Sequence, residues 1–298
     1  MPRSKLLWAL LGMLGLYLSL ALLAWIKPVP VAKDHPHFAD IGFQVIAHRG
    51  GWKLGPESTI LQFHRVAELG VDVLEMDVHA RRDGELVVIH DPTVNRTTDG
   101  NGRVNSLTLR ELRDLDAGYS WSDDDGITTP YRGQGIRIPT MAEMLEAFPG
   151  QRMLVEIKSR TSGAPTALCD HLRQHDALTQ VAVAAFGGGP MQEFRAACPE
   201  VATSPGVGEM AWYLVMHKLR LDALTNPGFQ VFHVPKALGA FTIVDEGFVR
   251  RARERNMPVQ VWTINRREEM ARLMDLGVTG IMTARPDLLL KLKREREL

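Results

Sequence analysis

The chain has 298 residues, of which 45% are hydrophobic and 23% are charged, so it holds enough apolar side chains for one large core. Its 35 basic residues balance its 35 acidic residues, and this lack of a basic field argues against a nucleic-acid partner. Cys169 and Cys198 are too few for a disulfide framework and lack metal-binding spacing, so we predict two ordinary core or helix cysteines.

The N-terminal segment differs from the rest of the chain. Residues 6–26 carry no charged side chain, over a length that spans the hydrocarbon core of a bilayer. Basic side chains within residues 1–5 favour a cytoplasmic N-terminus, which places the following domain outside the cytoplasm, in the periplasm if the source is bacterial. A cleaved signal peptide is the alternative, with Ser19 and Ala21 as the cleavage pair. We predict a single-pass membrane anchor and a stiff, Pro-rich linker over residues 27–43.

Short apolar runs alternate with amphipathic stretches from residue 44 onward. The runs that predict strands are residues 44–48, 72–78, 85–90, 152–158, 180–186, 200–205, 230–235, 258–264 and 278–283. Helical patterns between them include residues 58–70, 140–148, 245–256 and 266–277.

This alternation predicts an α/β fold with a parallel sheet. If residues 85–90 extend the second strand across the Asp83–Gly84 turn, eight strand–helix units remain. Eight units favour a closed (β/α)₈ TIM barrel over residues 44–298, with a doubly wound sheet as the alternative. Chemistry in such a barrel is done at the carboxyl ends of the strands.

Acidic side chains stand at two of these strand ends. Glu75 and Asp77 are two residues apart on one strand and therefore point to the same face. Glu156 and Lys158 repeat this spacing on the next long strand. Three clustered carboxylates repel one another unless a cation lies among them, and their hard oxygens suit Mg²⁺ or Ca²⁺. In the purely structural alternative, Glu75 pairs with an arginine, Asp77 caps a turn and Glu156 pairs with Lys158.

Two histidines and an arginine complete the set of polar residues at strand ends. His48 and His90 each follow an apolar run, and imidazole transfers protons in either direction near neutral pH. Arg49 and Lys158 are suited to binding phosphate oxygens. Gly50 and Gly51 are expected to let the backbone turn closely around a ligand. The remaining histidines considered are read as structural: His64, His79, His171, His175, His217 and His233.

The motifs around these residues resemble those of the glycerophosphodiester phosphodiesterase family. The resemblance runs from about residue 45 to residue 287 through HRGG, GPEST, LEMDVHARRDGELVVIHDPTVNRTTDGNG, IPTMAEML, LVEIK and VWTIN. It implies a (β/α)₈ barrel, a divalent cation, and hydrolysis of glycerophosphodiesters to glycerol 3-phosphate and an alcohol. Carried over by motif, the acid/base pair is His48 and His90, the metal ligands are Glu75, Asp77 and Glu156, and the substrate contacts are Arg49, Lys158 and Trp262.

The family also inserts a small subdomain after its second strand. Residues 91–139 match it, since they are far longer than an ordinary loop, and we expect them to cap the mouth. The chain departs from the family at Ser58, where Asn is frequent, and at Ala284, where Asp is common. A serine keeps some hydrogen bonds of an asparagine, whereas an alanine keeps none of an aspartate's. These departures bear on fine specificity more than on activity.

The sequence therefore predicts a membrane-anchored, metal-dependent phosphodiesterase. A lysophospholipid, cleaved as by a lysophospholipase D, is an alternative substrate because of the anchor. From another class, a non-catalytic barrel that binds phosphodiester head groups or a protein is a further alternative. Loss of either histidine or of a carboxylate would favour that reading, and the chain has kept them all. The sequence gives no indication of how many chains associate.

Overall fold

The computed structural model of the protein describes residues 3–81, 83–158 and 163–297. The strands in these ranges are β1 (Gln44–Ala47), β2 (Val73–Ala80), β3 (Leu86–Val88), β4 (Arg152–Ile157), β5 (Val181–Ala184), β6 (Ala202–Thr203), β7 (Phe232–Pro235), β8 (Ala237–Leu238), β9 (Phe241–Thr242), β10 (Val259–Trp262) and β11 (Gly280–Thr283). The α-helices are α1 (Arg3–Ile26), α2 (Ile60–Leu69), α3 (Leu109–Asp114), α4 (Met141–Ala147), α5 (Ala164–Gln174), α6 (Gly188–Ala197), α7 (Val207–Lys218), α8 (Glu246–Glu254), α9 (Arg267–Asp275) and α10 (Pro286–Glu295).

The strands form the predicted parallel barrel. Eight of them run in the order β6-β5-β4-β2-β1-β11-β10-β7, and the sheet curls until its two edge strands approach each other. There the Gln230 backbone N–H donates to the carbonyl of Thr203 at 2.9 Å. Strand β3 pairs antiparallel with β2, so the predicted strand extension across Asp83–Gly84 is correct.

Side chains on each strand alternate between two cores. Leu74 and Met76 of β2 pack outward against the helices, whereas Val73 of the same strand packs inside the barrel with Ile46 and Leu154. Glu75 and Asp77 share the inward face with Val73 because side chains alternate along a strand. The alternation thus places Leu74 and Met76 in the outer core, between the sheet and the helices, and points the carboxylates of Glu75 and Asp77 into the barrel.

Capping residues set the ends of the helices close to where the sequence predicts them. The Thr59 side chain accepts from the Gln62 backbone N–H at the start of α2, and Gly70 ends that helix with φ 89°. Thr140 and Glu143 form a capping box on α4. The strand predicted over residues 200–205 is shorter in the structure, where it comprises only β6. Pro205, two residues after β6, has no backbone N–H with which to pair to a neighbouring strand.

The segment between β3 and α4 forms the expected insertion with a small core of its own. Val94, Val104 and Leu112 are buried there with Ile89. The Trp121 indole N–H donates to the carbonyl of Trp52 at 2.8 Å, which ties the insertion to the loop that follows β1. The insertion therefore lies beside the mouth of the barrel.

The prediction of two ordinary cysteines is wrong, because Cys169 and Cys198 form a disulfide. Their Cα atoms are 5.6 Å apart, and 29 residues separate them in sequence. Cys169 lies in α5 and Cys198 directly follows α6, two neighbouring helices on the outside of the barrel. Only the packing of those helices brings the two sulfur atoms together, so spacing in the sequence carries no signal of the pair.

We expect this disulfide to stabilise the barrel by about 2–4 kcal/mol, because it restricts the unfolded chain. Urea denaturation of the oxidised and reduced wild-type protein measures the difference in unfolding free energy. The Cys169→Ala/Cys198→Ala variant is the matched control, since reductant should leave its midpoint unchanged. Equal midpoints for oxidised and reduced wild type would contradict the pairing.

Residues 27–43 pack along the amino-terminal ends of the strands. The Ala32 backbone N–H donates to the carbonyl of Arg255 at 2.8 Å, and the fully buried Arg255 guanidinium donates to the carbonyl of Pro30 at 3.3 Å. Arg152 Nε donates to the carbonyl of His37 at 3.0 Å. Helix α1 precedes this segment. Its residues Ser4–Ile26 contain an 18-residue stretch with a mean hydropathy of 2.2, and the helix is apolar and long enough to cross a membrane.

Candidate active site

The predicted site residues meet at the carboxyl-terminal mouth of the barrel. His48 and Arg49 lie in a short 3₁₀ turn directly after β1, and Trp262 is the last residue of β10. Asp77 of β2 lies opposite Glu156 of β4 in the sheet register. Parallel strands bring their carboxyl ends to one edge, and this is why residues from distant parts of the chain converge here.

Three carboxylates form the centre of the site. One oxygen each of Glu75, Asp77 and Glu156 lies within 4.8 Å of the others. Glu75 and Asp77 are 2% and 1% exposed. Burial, followed by the charge of Asp77, raises the pKa of Glu75 well above its usual value, and the same two causes raise the pKa of Glu156. The cluster therefore resists full ionisation unless positive charge is added.

Two side-chain cations lie against the cluster without saturating it. Lys158 Nζ is 2.7 Å from Glu156 Oε1 and 3.3 Å from Asp77 Oδ1. Burial opposes the charge of Lys158, but Asp77 and Glu156 outweigh it and raise the lysine pKa. Arg49 Nε is 3.4 Å from Asp77 Oδ2, and the Arg49 backbone N–H donates to Glu75 Oε2 at 2.8 Å. Of the contacts expected in the purely structural alternative, the ion pair of Glu156 with Lys158 is present. Glu75 instead accepts a hydrogen bond from the backbone N–H of Arg49.

The oxygens of the cluster fit a hard cation. Within the described residues, Asp77 Oδ2 is buried with no hydrogen-bond partner, and its nearest cation is Arg49 Nε at 3.4 Å. Buried carboxylate oxygens without hydrogen bonds are costly in a folded protein. Oxygen-only donor sets of this kind suit Mg²⁺ or Ca²⁺.

His48 lies at the edge of the carboxylate cluster. Its Nε2 is 4.0 Å from Glu75 Oε2, and its Nδ1 is buried with no hydrogen-bond partner in the described part of the chain. Burial, followed by the charges of Arg49, His90 and Lys158, lowers the pKa of His48 to about 3. The imidazole is therefore neutral at physiological pH.

His90 is held by an acidic partner. Its Nδ1 is 2.7 Å from Asp91 Oδ1, and its carbonyl accepts from the His79 imidazole at 3.0 Å. A carboxylate at this distance holds the ring in one orientation. His79 thus has the structural role predicted for it, since it supports the backbone of His90.

Sequence analysis assigned no role to Glu57, Asp91 and Arg96, which connect the two sides of the mouth. Arg96 Nε is 2.7 Å from Asp91 Oδ2 and Arg96 Nη1 is 2.8 Å from Glu57 Oε2. Glu57 also accepts from Arg49 Nη1 at 3.3 Å. Arg96, then His90, lower the pKa of Asp91 to about 2 against the effect of burial. The sole sequence signal for this network was the position of its members inside the GPEST and HDPTVNR motifs.

The two glycines after Arg49 are required by the local backbone and by packing. Gly50 and Gly51 have φ of 75° and 72°, a region that favours glycine. A Cβ on Gly51 would lie 2.9 Å from Pro286 of α10, and one on Gly50 would lie 3.2 Å from Phe63 of α2. The turn is therefore pressed against two helices.

Ser58 and Ala284, the departures from the family pattern, are both buried. Ser58 has φ 58°, a left-handed conformation in which asparagine is enriched. Its Oγ is buried and has no hydrogen-bond partner among the residues that the structure describes. The Ala284 backbone N–H donates to Asn265 Oδ1 at 2.8 Å.

Trp262 forms part of an aromatic wall beside Lys158. Its ring centroid is 5.7 Å from that of Phe186, and Lys158 Nζ lies 5.4 Å from the centroid of Phe186. Phe186 is 51% exposed. The mouth thus combines a charged centre with an apolar side that is open to solvent.

The chain is similar to known proteins both in sequence and in structure. The model of the glycerophosphoryl diester phosphodiesterase family matches residues 48–288. A glycerophosphodiester phosphodiesterase of Caldanaerobacter subterraneus subsp. tengcongensis is 32% identical over 260 residues, which cover 84% of this chain and 98% of that protein. A Bacillus subtilis protein of the same name is 28% identical and covers 93% of this chain and 96% of its own length. A solved phosphodiesterase of Oleispira antarctica in complex with the product sn-glycerol-3-phosphate has a TM-score of 0.67 at 25% identity, covering 86% of this chain and 98% of that one.

Proposed function

The chain belongs to the glycerophosphoryl diester phosphodiesterase family, and from this premise we propose how its residues hydrolyse glycerophosphodiesters to glycerol 3-phosphate and an alcohol. The observation that carries the proposal is the convergence of Glu75, Asp77 and Glu156 within 4.8 Å, with both histidines at the same mouth. Reactions at a phosphodiester need positive charge around the phosphate and groups that move protons. This mouth offers both.

We propose that Glu75, Asp77 and Glu156 hold a Mg²⁺ or Ca²⁺ ion. The support comes from their oxygen-only donors and from the buried Asp77 Oδ2, which lacks a hydrogen-bond partner among the described residues. When bound, such an ion acts as a Lewis acid that polarises a phosphoryl oxygen. Its charge would also oppose the burial and the repulsion from Asp77 that raise the pKa of Glu75 and Glu156.

In the same proposal, Arg49 and Lys158 orient the phosphate through its remaining oxygens, and Trp262 with Phe186 lines one side of the substrate. His48, neutral at working pH, accepts the proton of the glycerol 2-hydroxyl or of a water. His90, paired with Asp91, protonates the leaving alcohol. Asp91 holds the His90 ring in place, and Arg96 and Glu57 in turn hold Asp91.

The substrate is proposed to be a glycerophosphodiester, with a lysophospholipid as the second candidate because the exposed ring of Phe186 gives the mouth an apolar side. Competition between glycerophosphocholine and lysophosphatidylcholine in one assay ranks the two by kcat/KM. A higher value for glycerophosphocholine supports the first candidate. A higher value for the lipid, below its micellar concentration, would favour the second.

For the organisation of the chain, we propose residues 1–5 as a cytoplasmic N-terminus, residues 6–26 as an anchor, residues 27–43 as a linker, and residues 44–298 as the barrel with its insertion at about 91–139. The support for the anchor is the length and hydropathy of α1. The disulfide supports a location outside the cytoplasm, since such bonds persist in oxidising compartments.

We therefore expect a reporter fused after Leu298 to behave as extracytoplasmic, because the positive residues of the N-terminus are retained inside. Alkaline phosphatase, active only outside the cytoplasm, and a fluorescent protein active only inside it form the matched reporter pair. Mass spectrometry of the membrane fraction should find residues 6–26 retained. A soluble product that begins near residue 22 would show a cleaved signal peptide instead.

A further inference from the structure

Residues 30–39 form a strap across the base of the barrel, the end at which the parallel strands begin. The strap is tied first to residues that lie just before β10. The fully buried Arg255 guanidinium donates to the carbonyl of Pro30 at 3.3 Å. The Asn256 side-chain amide donates to Asp34 Oδ1 at 2.7 Å. The first half of the strap is therefore fixed at the amino-terminal end of β10.

The second half of the strap reaches the opposite side of the base. His35 Nε2 lies 2.9 Å from the carbonyl oxygen of Glu200, two residues before β6. Arg152, the first residue of β4, donates to the carbonyls of His37 and Ala39 at 3.0 and 3.1 Å. Strands β10 and β4 are four places apart in the order of the eight strands. The strap thus crosses the whole base and fixes the barrel relative to the chain that enters it.

The connection between α1 and the strap is short. Helix α1 ends at Ile26, and at Pro30 the chain is already tied to the barrel. Extended chain between these two residues spans at most about 14 Å. Since α1 is the proposed anchor, the base of the barrel lies within that distance of the bilayer.

The barrel is taller than this reach. Val73 of β2 lies opposite Arg152 at the base in the sheet register, and β2 continues to Ala80. From Val73 to Ala80 the strand covers about 23 Å, which is about 19 Å along the barrel axis at the usual strand tilt. A mouth that faced the bilayer would place the base farther from the bilayer than the connection spans.

We propose that the strap holds the mouth away from the bilayer in which α1 is anchored, so that the site takes its glycerophosphodiester from the aqueous phase and not from that bilayer. The inference rests on the proposed anchor and the proposed hydrolysis. Asp77 and Glu156 are register partners that lie above the base level of Arg152, about 11 Å along the axis. A diester held in the bilayer by acyl chains therefore does not reach these carboxylates, although its phosphodiester group is the same as that of a soluble substrate.

Energy transfer from dyes on the full-length protein in phospholipid nanodiscs to dye-labelled lipid head groups tests the orientation. The dye at the base is attached at Thr179→Cys, an exposed position just before β5. The dyes at the mouth are attached at Lys53→Cys, exposed in the loop after β1, and at Leu238→Cys, exposed in the hairpin after β7. The two natural cysteines are buried and joined, so they do not react.

We expect stronger energy transfer at position 179 than at positions 53 and 238. Equal or stronger transfer at either mouth position would overturn the orientation, whether or not the protein hydrolyses a phosphodiester. The matched variant carries a flexible insertion of about 20 Gly and Ser residues between Lys27 and Pro28, which keeps the strap contacts and adds about 25 Å of reach. The difference between base and mouth should disappear in this variant. An unchanged difference would overturn the strap as its cause.

Two forms of one diester test the consequence for substrate access. Glycerophosphoethanolamine is supplied with its amino group either acetylated, which keeps it in water, or coupled to a two-chain lipid retained in the same nanodisc. We expect wild-type protein in dilute nanodiscs to hydrolyse only the soluble form, and the variant with the flexible insertion to hydrolyse both. Equal rates on both forms with wild-type protein would overturn the restriction on access. Hydrolysis of neither form would overturn the proposed function, while energy transfer alone decides the orientation.

Discussion

Alanine in place of His48 or of His90 is expected to lower kcat by about 10²–10⁴, the usual contribution of one proton-transfer group. KM should change far less, because Arg49 and Lys158, the proposed phosphate contacts, are unchanged in either variant. Steady-state kinetics with glycerophosphocholine measures both constants. His64→Ala is the matched control, since His64 lies exposed on α2 outside the site, and it should keep wild-type kcat.

The two histidines should also be non-additive and distinguishable. The double variant should lose much less than the product of the single losses, because groups that act as a unit do not add. A substrate with a nitrophenol leaving group needs little protonation, so it should restore activity to His90→Ala and not to His48→Ala. Rescue of His48→Ala instead would reverse the acid and base roles. Near-normal kcat in both single variants would overturn the proton-transfer proposal.

Removal of divalent cations is expected to abolish activity, and Mg²⁺ or Ca²⁺ should restore it. A Lewis acid contributes several kcal/mol to the stabilisation of the transition state, which corresponds to a loss of at least about 10²-fold. Glu75→Gln should raise the cation concentration needed for half-maximal activity, because it removes one ligand charge. Glu68→Gln, an exposed change on α2, is the control. Full activity after exhaustive chelation would contradict the metal site.

Protein stability gives a second readout of the same site that needs no substrate. The pKa of Glu75 is raised in the folded protein, so without a cation its contribution to stability is present at low pH and is lost as pH rises through that pKa. We expect the chelated protein to lose melting temperature as pH increases from the unperturbed glutamate range upward. Cation at 100 times its Kd should restore about 2.7 kcal/mol, or about 5–10 °C for a domain of this size. A melting temperature unaffected by cation at every pH would argue against binding.

The barrel could be predicted because each of its strands carries a local signal. The apolar runs of β1, β2 and β4 are short and regular, and the capping residues Thr59 and Thr140 mark where α2 and α4 begin. The convergence of Glu75, Asp77 and Glu156 followed from two rules, alternation along a strand and a shared carboxyl edge. Both rules use only sequence neighbours and the order of the strands.

Contacts made by packing could not be predicted in this way. The Cys169–Cys198 bond depends on how α5 and α6 lie side by side. The Arg96 bridge to Glu57 depends on how the insertion folds back over the mouth. The Gly51 position depends on the approach of α10, which begins 235 residues later in the chain, at Pro286. Each of these contacts forms only when the barrel closes. The sequence immediately around the contacting residues does not indicate it.

The most direct test of the central claim is phosphorus NMR of glycerophosphocholine incubated with the full-length protein and Mg²⁺ or Ca²⁺. The signal of the diester should disappear and that of glycerol 3-phosphate should appear, with choline released in equal amount. The Asp77→Asn variant should leave the diester signal unchanged over the same period. Formation of phosphocholine and glycerol would show cleavage of the other phosphoester bond, and a persistent diester signal with the wild-type protein would contradict hydrolysis at this site.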